Sequence, residues 1–302
     1  MGAQNAMGDF RFAMGCVIIR LRGFAISLTS YEAGMDMRID TVRTDGFTMD
    51  YCRFGHGKES LVILPGMSVQ RVMGLADAIE AAYSPLLDDF TIHLFERRNA
   101  MPLPYPVRDM ARDTARAMQA LGLGPACLFG ASQGGMMALC VALEHPKLVR
   151  RLVLGSASAR VTEARYRQVF GRWAALARAG DAAALYLAFG EAVYPPDVFE
   201  GSRQLLLDAA KDVSDEDLSR FAAMAEGMRG FDITDELHGI ACPTLVLGAE
   251  DDSVLGGEAS RQIAARLESC ELHMYADYGH AAYDLAPDYR KRMLRFLRGT
   301  TH

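Results

Sequence analysis

The sequence predicts an α/β protein in which helices cover both faces of a mostly parallel central sheet. Three observations lead to this prediction. Apolar strand segments alternate with amphipathic helical segments along most of the chain. The strand at residues 127–129 passes through a tight glycine turn directly into a helix. The alternation stops at about residues 157–240 and then resumes, which indicates a helical insertion in the sheet domain.

Length and composition suit one large α/β domain with an insertion. The chain has 302 residues, of which 50% are hydrophobic and 23% are charged. The net charge of −6 argues against a nucleic-acid partner, and no apolar run approaches the length of a membrane span. The six cysteines are scattered without a C-x-x-C pair, which favours a reduced, cytoplasmic protein.

Residues 1–36 differ from the rest and are predicted to be a poorly ordered N-terminal extension. Arginines at positions 11, 20 and 22 break its apolar stretch, so it contains no signal-peptide core. Regular signals begin at Arg38, where a hairpin around Asp45-Gly46 joins two alternating strands. The elements predicted next are a strand at 61–64, a helix at 72–82, a strand at 90–95, a helix at 107–121, the strand and helix of the glycine turn, and a strand at 149–154.

The sheet domain is therefore predicted to comprise residues 37–156 and 241–302, with residues 157–240 as a helical lid. After the lid we expect strands at 243–247 and 271–275 and helices at 258–267 and 287–297. The lid contains two stripes of apolar residues at helical spacing. Packing between helices explains most of each stripe. Because aromatic and methionine side chains make adaptable walls, we also predict that Phe170, Trp173 and Met224 line a substrate pocket.

The turn Gly130-Ala131-Ser132-Gln133-Gly134 matches the G-x-S-x-G pattern of a nucleophile elbow. Such a turn holds its serine in a strained backbone conformation, and the flanking glycines let the strand and helix approach closely. A serine needs a base to remove its proton and an acid to orient that base. In sheets of this type the three residues follow in the order serine, acid, histidine.

Candidates for the acid and the base follow later strands. Asp251 lies in the loop after strand 243–247 with Asp252 as the alternative acid, and a solvated acidic turn is the simplest other reading of this loop. Of the seven histidines, only His280 follows both a strand end and a glycine at a position after the acid. The backbone N–H groups of Gln133, in the elbow, and Met67, in the loop after Leu64-Pro65-Gly66, are candidates for an oxyanion hole.

From about Arg38 to its end, the chain resembles the lidded α/β fold hydrolases of the α/β-hydrolase superfamily. The resemblance rests on Leu64-Pro65-Gly66, on residues 130–135, on Pro243-Thr244-Leu245-Val246-Leu247-Gly248 with Asp251, and on Gly279-His280. It implies a triad of Ser132, Asp251 and His280, because in this pattern the acid stands three residues beyond a strand-ending glycine, here Gly248. It also implies an oxyanion hole at Met67 and Gln133.

Two segments depart from the family pattern. Many relatives have His-Gly where this chain has Pro65-Gly66, and many have Asp-x-x-Gly-x-Gly-x-Ser where it has Glu96-Arg97-Arg98-Asn99-Ala100-Met101-Pro102. These departures prevent transfer of a substrate from the better-known branches of the family.

The sequence thus predicts a serine hydrolase that acts on a small or medium acyl compound, most readily a carboxylic ester. It requires no cofactor, and no residue cluster has the spacing of a metal site. Thioester, lactone or carbon–carbon bond hydrolysis, and cofactor-free peroxidase chemistry, use the same fold and stay open as alternatives. A non-catalytic small-molecule receptor of this fold is the alternative from another class. The oligomeric state is left open.

Overall fold

The computed structural model describes residues 10–12, 19–21 and 39–299 of the chain. Most of the predicted N-terminal extension, residues 1–36, lies outside the described residues. Within it, strands β1 (Phe10–Phe12) and β2 (Ile19–Leu21) pair with each other in an antiparallel two-stranded sheet.

An eight-stranded sheet forms the centre of the described structure. Its strands are β3 (Ile39–Thr44), β4 (Phe47–Phe54), β5 (Glu59–Leu64), β6 (Phe90–Arg98), β7 (Ala126–Ala131), β8 (Val149–Gly155), β9 (Thr244–Ala249) and β10 (Cys270–Tyr275). Their order across the sheet is β10-β9-β8-β7-β5-β6-β4-β3. Strands β5 to β10 run parallel, whereas the β3–β4 hairpin joins antiparallel at the β6 edge. The predicted mostly parallel sheet is confirmed.

Helices cover both faces of this sheet, as the alternation of elements predicts. In chain order they are α1 (Ala76–Ala82), α2 (Val107–Ala120), α3 (Gln133–Glu144), α4 (Glu163–Arg165), α5 (Gly171–Arg178), α6 (Ala182–Val193), α7 (Pro196–Ala209), α8 (Asp215–Glu226), α9 (Glu258–Ala264), α10 (Ala282–Leu285) and α11 (Tyr289–Leu297). Alternate residues of β5 point to opposite faces: Val62 and Leu64 pack with α2 and α3, while Leu61 and Ile63 pack with α1 and α11. No helix among the described residues is both long and apolar enough to cross a lipid bilayer.

Residues 157–240 are all described and are mainly helical. They contain α4 to α8, a π-helical turn at Tyr166–Phe170, and an isolated bridge between Arg160 and Asp232 instead of a strand. Helix α8 begins with a capping box in which Ser214 and Asp217 each accept a backbone N–H of the other residue. Helices α6 and α7 are additions to the elements predicted from sequence.

Strands β6 and β9 extend beyond their predicted ends. Strand β6 continues to Arg98, where it pairs with Met49 of β4, so Glu96, Arg97 and Arg98 lie in a strand and not in a loop. Strand β9 continues through Ala249, which pairs with Tyr275 of β10. The extension of β9 moves the start of the loop that carries Asp251 and Asp252.

Candidate active site

The turn between β7 and α3 has the geometry that its sequence predicts. Strand β7 ends at Ala131 and α3 begins at Gln133, which leaves Ser132 alone between them with φ 52° and ψ −121°. A positive φ is costly for a residue with a side chain, so the surrounding structure must hold this conformation. A Cβ atom on Gly134 would lie 2.0 Å from the carbonyl oxygen of Leu64. Only glycine allows α3 to pack this closely against the end of β5.

His280 connects Ser132 to a carboxylate. It lies in the short 3-10 turn Gly279–Ala281 that follows β10, and the residue is 1% exposed. Its Nε2 atom is 2.8 Å from Ser132 Oγ, and its Nδ1 atom is 2.8 Å from Asp252 Oδ2. When Nδ1 carries the proton and donates it to the carboxylate, Nε2 is free to accept the hydroxyl proton of Ser132.

The carboxylate against His280 belongs to Asp252, so the predicted contact with Asp251 is wrong. Asp251 instead accepts the backbone N–H of Gly279 at 3.0 Å, one residue before the histidine. The error follows from the end of β9, which is at Ala249 and not at Gly248. Asp252 lies three residues beyond the true end of β9. Because successive residues of an extended loop point in opposite directions, only one of the two aspartates can face His280.

The buried carboxylate of Asp252 makes three hydrogen bonds. Its Oδ1 atom accepts the N–H groups of Val254 and Leu255, each at 2.8 Å. Burial raises the pKa of this carboxyl, but the charge and hydrogen bond of His280 and the two backbone donors lower it further, so the pKa lies below its ordinary value. Asp252 is therefore an anion at neutral pH, placed to stabilise a protonated His280.

Met67 and Gln133 both lie next to Ser132. A Cβ atom on Gly66 would be 3.3 Å from Ser132 Cβ, so the loop after β5 runs directly against the serine, and Met67 follows in this loop. Gln133 is the first residue of α3, where N–H groups have no acceptor within the helix. The helix dipole also favours negative charge at this end.

Ser132 and His280 lie in the wall of a small cavity. Its walls are mainly apolar, and they are formed by Met67, Ser132, Phe170, Trp173, Phe189, Val193, Val254, His280 and Tyr283. The prediction for Phe170 and Trp173 agrees with this lining, but Met224 is not part of it. The backbone oxygen of Met224 instead accepts the side-chain amide of Gln133 at 3.1 Å, because α8 turns its backbone towards the elbow.

Sequence reasoning missed Phe189 and Val193, which lie on α6. Their four-residue spacing in an alanine-rich segment is the signal that could have indicated a helix with an apolar face. It also missed Val254 and Tyr283, which no periodic pattern singles out.

Comparison with known proteins decides the family. Residues 84–287 match the family described as alpha/beta hydrolase fold, a segment that includes Ser132, Asp252 and His280. The chain belongs to this family.

Relatives of this α/β hydrolase carry names of several hydrolytic activities. A protein of Caulobacter sp. (strain K31), named as a carbamate hydrolase RutD, is 29% identical over 71% of this chain and 83% of its own length. A mouse (Mus musculus) protein named serine hydrolase BPHL is 26% identical over 79% of each chain. The crystal structure of an enol-lactonase from Burkholderia xenovorans LB400 superposes with a TM-score of 0.74 at 20% identity, covering 86% of this chain and all of that one. This last similarity concerns the fold alone.

Aromatic rings from the helical segment form the cavity wall of this α/β hydrolase. The ring centroid of Trp173 lies 4.7 Å from that of Phe189 and 5.5 Å from that of Phe170, with the Phe170 ring perpendicular to it. These spacings are typical of favourable ring contacts. The helices therefore meet in a packed aromatic cluster directly over the serine.

Proposed function

We propose that this α/β hydrolase is a serine hydrolase that cleaves small or medium acyl compounds, most readily carboxylic esters. The observation that carries the proposal is the continuous chain of two 2.8 Å hydrogen bonds from Asp252 through His280 to Ser132, which ends at an apolar cavity. Nucleophile, base and orienting acid are thus within reach of one another and of a place for a substrate.

In this proposal Ser132 Oγ attacks the substrate carbonyl carbon while its proton passes to His280 Nε2. The carbonyl oxygen becomes an oxyanion, which the backbone N–H groups of Met67 and Gln133 stabilise. The bond to the alcohol oxygen then breaks, and His280 returns the proton to that oxygen. Water attacks the resulting acyl-enzyme in the same way and releases the carboxylic acid. Asp252 keeps the proton on His280 Nδ1 and stabilises the imidazolium at each stage.

The cavity supports a substrate with a short, uncharged acyl group. The space between its lining residues is small, which favours a short acyl group. Among the residues that the structure describes, no Lys, Arg, Asp or Glu lines it, so a charged acyl group would lose its hydration without gaining a partner from them. We propose that residues 157–240 act as a lid, because Phe170, Trp173 and Phe189 of this segment cover Ser132.

Carbamate hydrolysis is the second candidate function. It is favoured by the name of the Caulobacter relative, which covers most of both chains. Ser132 Oγ would attack the carbamate carbonyl carbon, the bond to the alcohol oxygen would break, and the alcohol would leave with a proton from His280 to give a carbamoyl-enzyme that water hydrolyses. Thioesters, lactones and carbon–carbon bonds next to a carbonyl need the same nucleophile and oxyanion donors and therefore belong in the same substrate panel.

A reducing, cytoplasmic location is also proposed. All five cysteines among the described residues are free thiols. Burial, above all, raises the pKa of Cys52 and that of Cys140 to about 12 each, so these two thiols are neutral and unreactive at physiological pH.

The test is covalent labelling by a fluorophosphonate probe, together with turnover of matched ester, carbamate, thioester and lactone panels. Wild-type protein should be labelled and should turn over short uncharged esters fastest. Ser132→Ala should abolish labelling and lower kcat by a factor of about 10³–10⁶, with an unchanged circular dichroism spectrum. Labelling or turnover that persists in folded Ser132→Ala would contradict the mechanism. Ligand binding without labelling or turnover in wild type would favour the receptor alternative.

A further inference from the structure

A buried cluster of charged side chains lies beside the loop that carries Met67. It consists of Glu96 and Arg97 at the end of β6 and Arg220 of α8, and these residues are 4%, 2% and 7% exposed. Arg220 donates to Glu96 Oε1 at 3.2 Å. Burying three charges is costly even when they are paired, so the position of these groups calls for an explanation beyond stability.

Glu96 and Arg97 hold the two ends of the loop between β5 and α1. Arg97 donates from a terminal guanidinium nitrogen to the carbonyl oxygen of Pro65 at 2.9 Å, where the loop starts. Glu96 Oε2 accepts the backbone N–H of Val72 at 2.7 Å, where the loop ends. Adjacent residues of one strand thus fix both ends of the loop on which Met67 lies.

The same guanidinium nitrogen of Arg97 also donates to the side-chain oxygen of Gln133 at 3.1 Å. One atom therefore joins the two segments that contain Met67 and Gln133. Burial lowers the pKa of Arg97 to about 10, with Glu96 opposing that shift, so the side chain stays protonated at neutral pH. It can donate both hydrogen bonds throughout a reaction cycle.

We propose that Arg97 is a positioning residue that sets the separation of the two backbone donors of the oxyanion hole, while Glu96 fixes the far end of the loop. The inference rests on the proposed function and adds a determinant of its transition state. Preorganised donors are effective only when they are held within about 0.5 Å of their productive positions, which lie about 3 Å from the oxyanion. The peptide at Gly66 lacks a side chain that could brace it, so the bond from Arg97 to Pro65 supplies that constraint.

The experiment compares Arg97→Met and Arg97→Lys with the control Arg98→Met. Arg98 is the next residue of β6, is more exposed, and binds Asp113 at 3.3 Å, away from Ser132. We expect Arg97→Met to lower kcat on a short chromogenic ester by about 10–100-fold while KM changes by less than about threefold, because a donor is misplaced and not removed. Arg97→Lys, which keeps a charged donor, should recover part of this loss. Arg98→Met should keep wild-type kcat whatever its effect on stability.

A second measurement separates positioning from a structural role. An alkyl trifluoromethyl ketone forms a bond from Ser132 Oγ to its carbonyl carbon, the carbonyl oxygen becomes an oxyanion, and the serine proton passes to His280. Affinity for this adduct should fall in parallel with kcat in the Arg97 variants. Affinity for the matching unfluorinated ketone, which binds without reaction, should not change. If Arg97→Met does not fold, the two affinities of Arg97→Lys decide the question.

Three outcomes are distinct. Activity that survives Ser132→Ala overturns the proposed function itself. Serine-dependent activity with kcat and adduct affinity within about twofold of wild type in folded Arg97 variants overturns the inference and leaves the function intact. Equal losses in affinity for both ketones would assign Arg97 a general role in shaping the pocket. This result would also overturn the inference that Arg97 positions the oxyanion donors.

Discussion

The loops after β7 and after β9 both place a polar side chain at the carboxyl edge of the sheet. Different interactions fix the conformations of the two loops. After β7, backbone packing leaves no freedom: a Cβ on Gly130 would lie 2.3 Å from Gly134 O, and Ser132 has a positive φ. After β9, hydrogen bonds from side chain to backbone decide which residue faces inward. Asp252 accepts two N–H groups of its own turn, whereas Asp251 accepts one from Gly279.

This difference explains why one loop could be predicted to the residue and the other could not. A steric constraint leaves glycines at fixed positions, so the sequence pattern identifies Ser132 directly. Two adjacent aspartates satisfy the same pattern in either register, and the choice depends on where β9 ends. Aspartate favours turns in which its carboxylate accepts the backbone N–H groups two and three residues later. This preference was the sequence signal available for choosing Asp252.

Substitution of Asp252 should have the largest effect in a test of this comparison. In Asp252→Asn the amide nitrogen can donate to His280 Nδ1, which favours the tautomer that cannot accept the proton of Ser132. We expect kcat to fall by about 10²–10⁴ with little change in KM. Steady-state kinetics on the best ester, together with the rate of fluorophosphonate labelling, measures this loss. A wild-type kcat in this variant would mean that His280 has another partner during turnover.

The steric side of the comparison is tested at Gly134. Gly134→Ala would place a methyl group against the backbone oxygens of Leu64 and Pro65, which cannot move aside without distorting β5. We expect a loss of about 3 kcal/mol or more in the free energy of unfolding, measured by urea denaturation. The matched control is Gly201→Ala in α7, where the added Cβ would meet no described atom within 4 Å beyond its chain neighbours and the backbone of its own helix. This control should be stabilised by about 0.5–1 kcal/mol, and equal effects of the two substitutions would refute the steric account.

Most of the fold was predictable because the strands of a parallel sheet are short, apolar and separated by helices. The sheet and the places of Ser132 and His280 follow from that pattern. The ends of β6 and β9 do not follow from that pattern. Glu96, Arg97 and Arg98 have the polar character of loop residues, although pairing with β4 holds at least Arg98 in the sheet. Phe189 reaches the cavity only because α6 packs on α5, a contact between helices that sequence periodicity does not specify.

The pKa of Asp252 predicts how stability depends on pH. Its value in the folded protein lies below the ordinary 3.8, so ionised Asp252 stabilises the fold above that pH, and the contribution is lost as pH falls through the folded value. Asp252→Asn lacks this contribution at every pH. Wild type should therefore be more stable than the variant by about 1–3 kcal/mol at pH 7, and the difference should shrink below about pH 4. Urea unfolding of both proteins at pH 7, 5 and 3.5 measures it; a difference that is constant with pH would show that Asp252 is not the ionised partner of His280.

The smallest effect is expected at Asp251, and it completes the comparison within one loop. Asp251 is exposed, and its carboxylate accepts a single backbone N–H from Gly279. In Asp251→Asn the side-chain oxygen can still accept that hydrogen bond, so only a partly solvated charge is lost, and such surface changes are worth about 0.5 kcal/mol. We expect kcat within about threefold of wild type under the conditions in which Asp252→Asn loses most activity. Asp251→Ala, which removes the acceptor, should cost somewhat more by loosening the turn before His280. If Asp251→Asn were inactive and Asp252→Asn active, the loop would change register during catalysis, and the acid would be Asp251 after all.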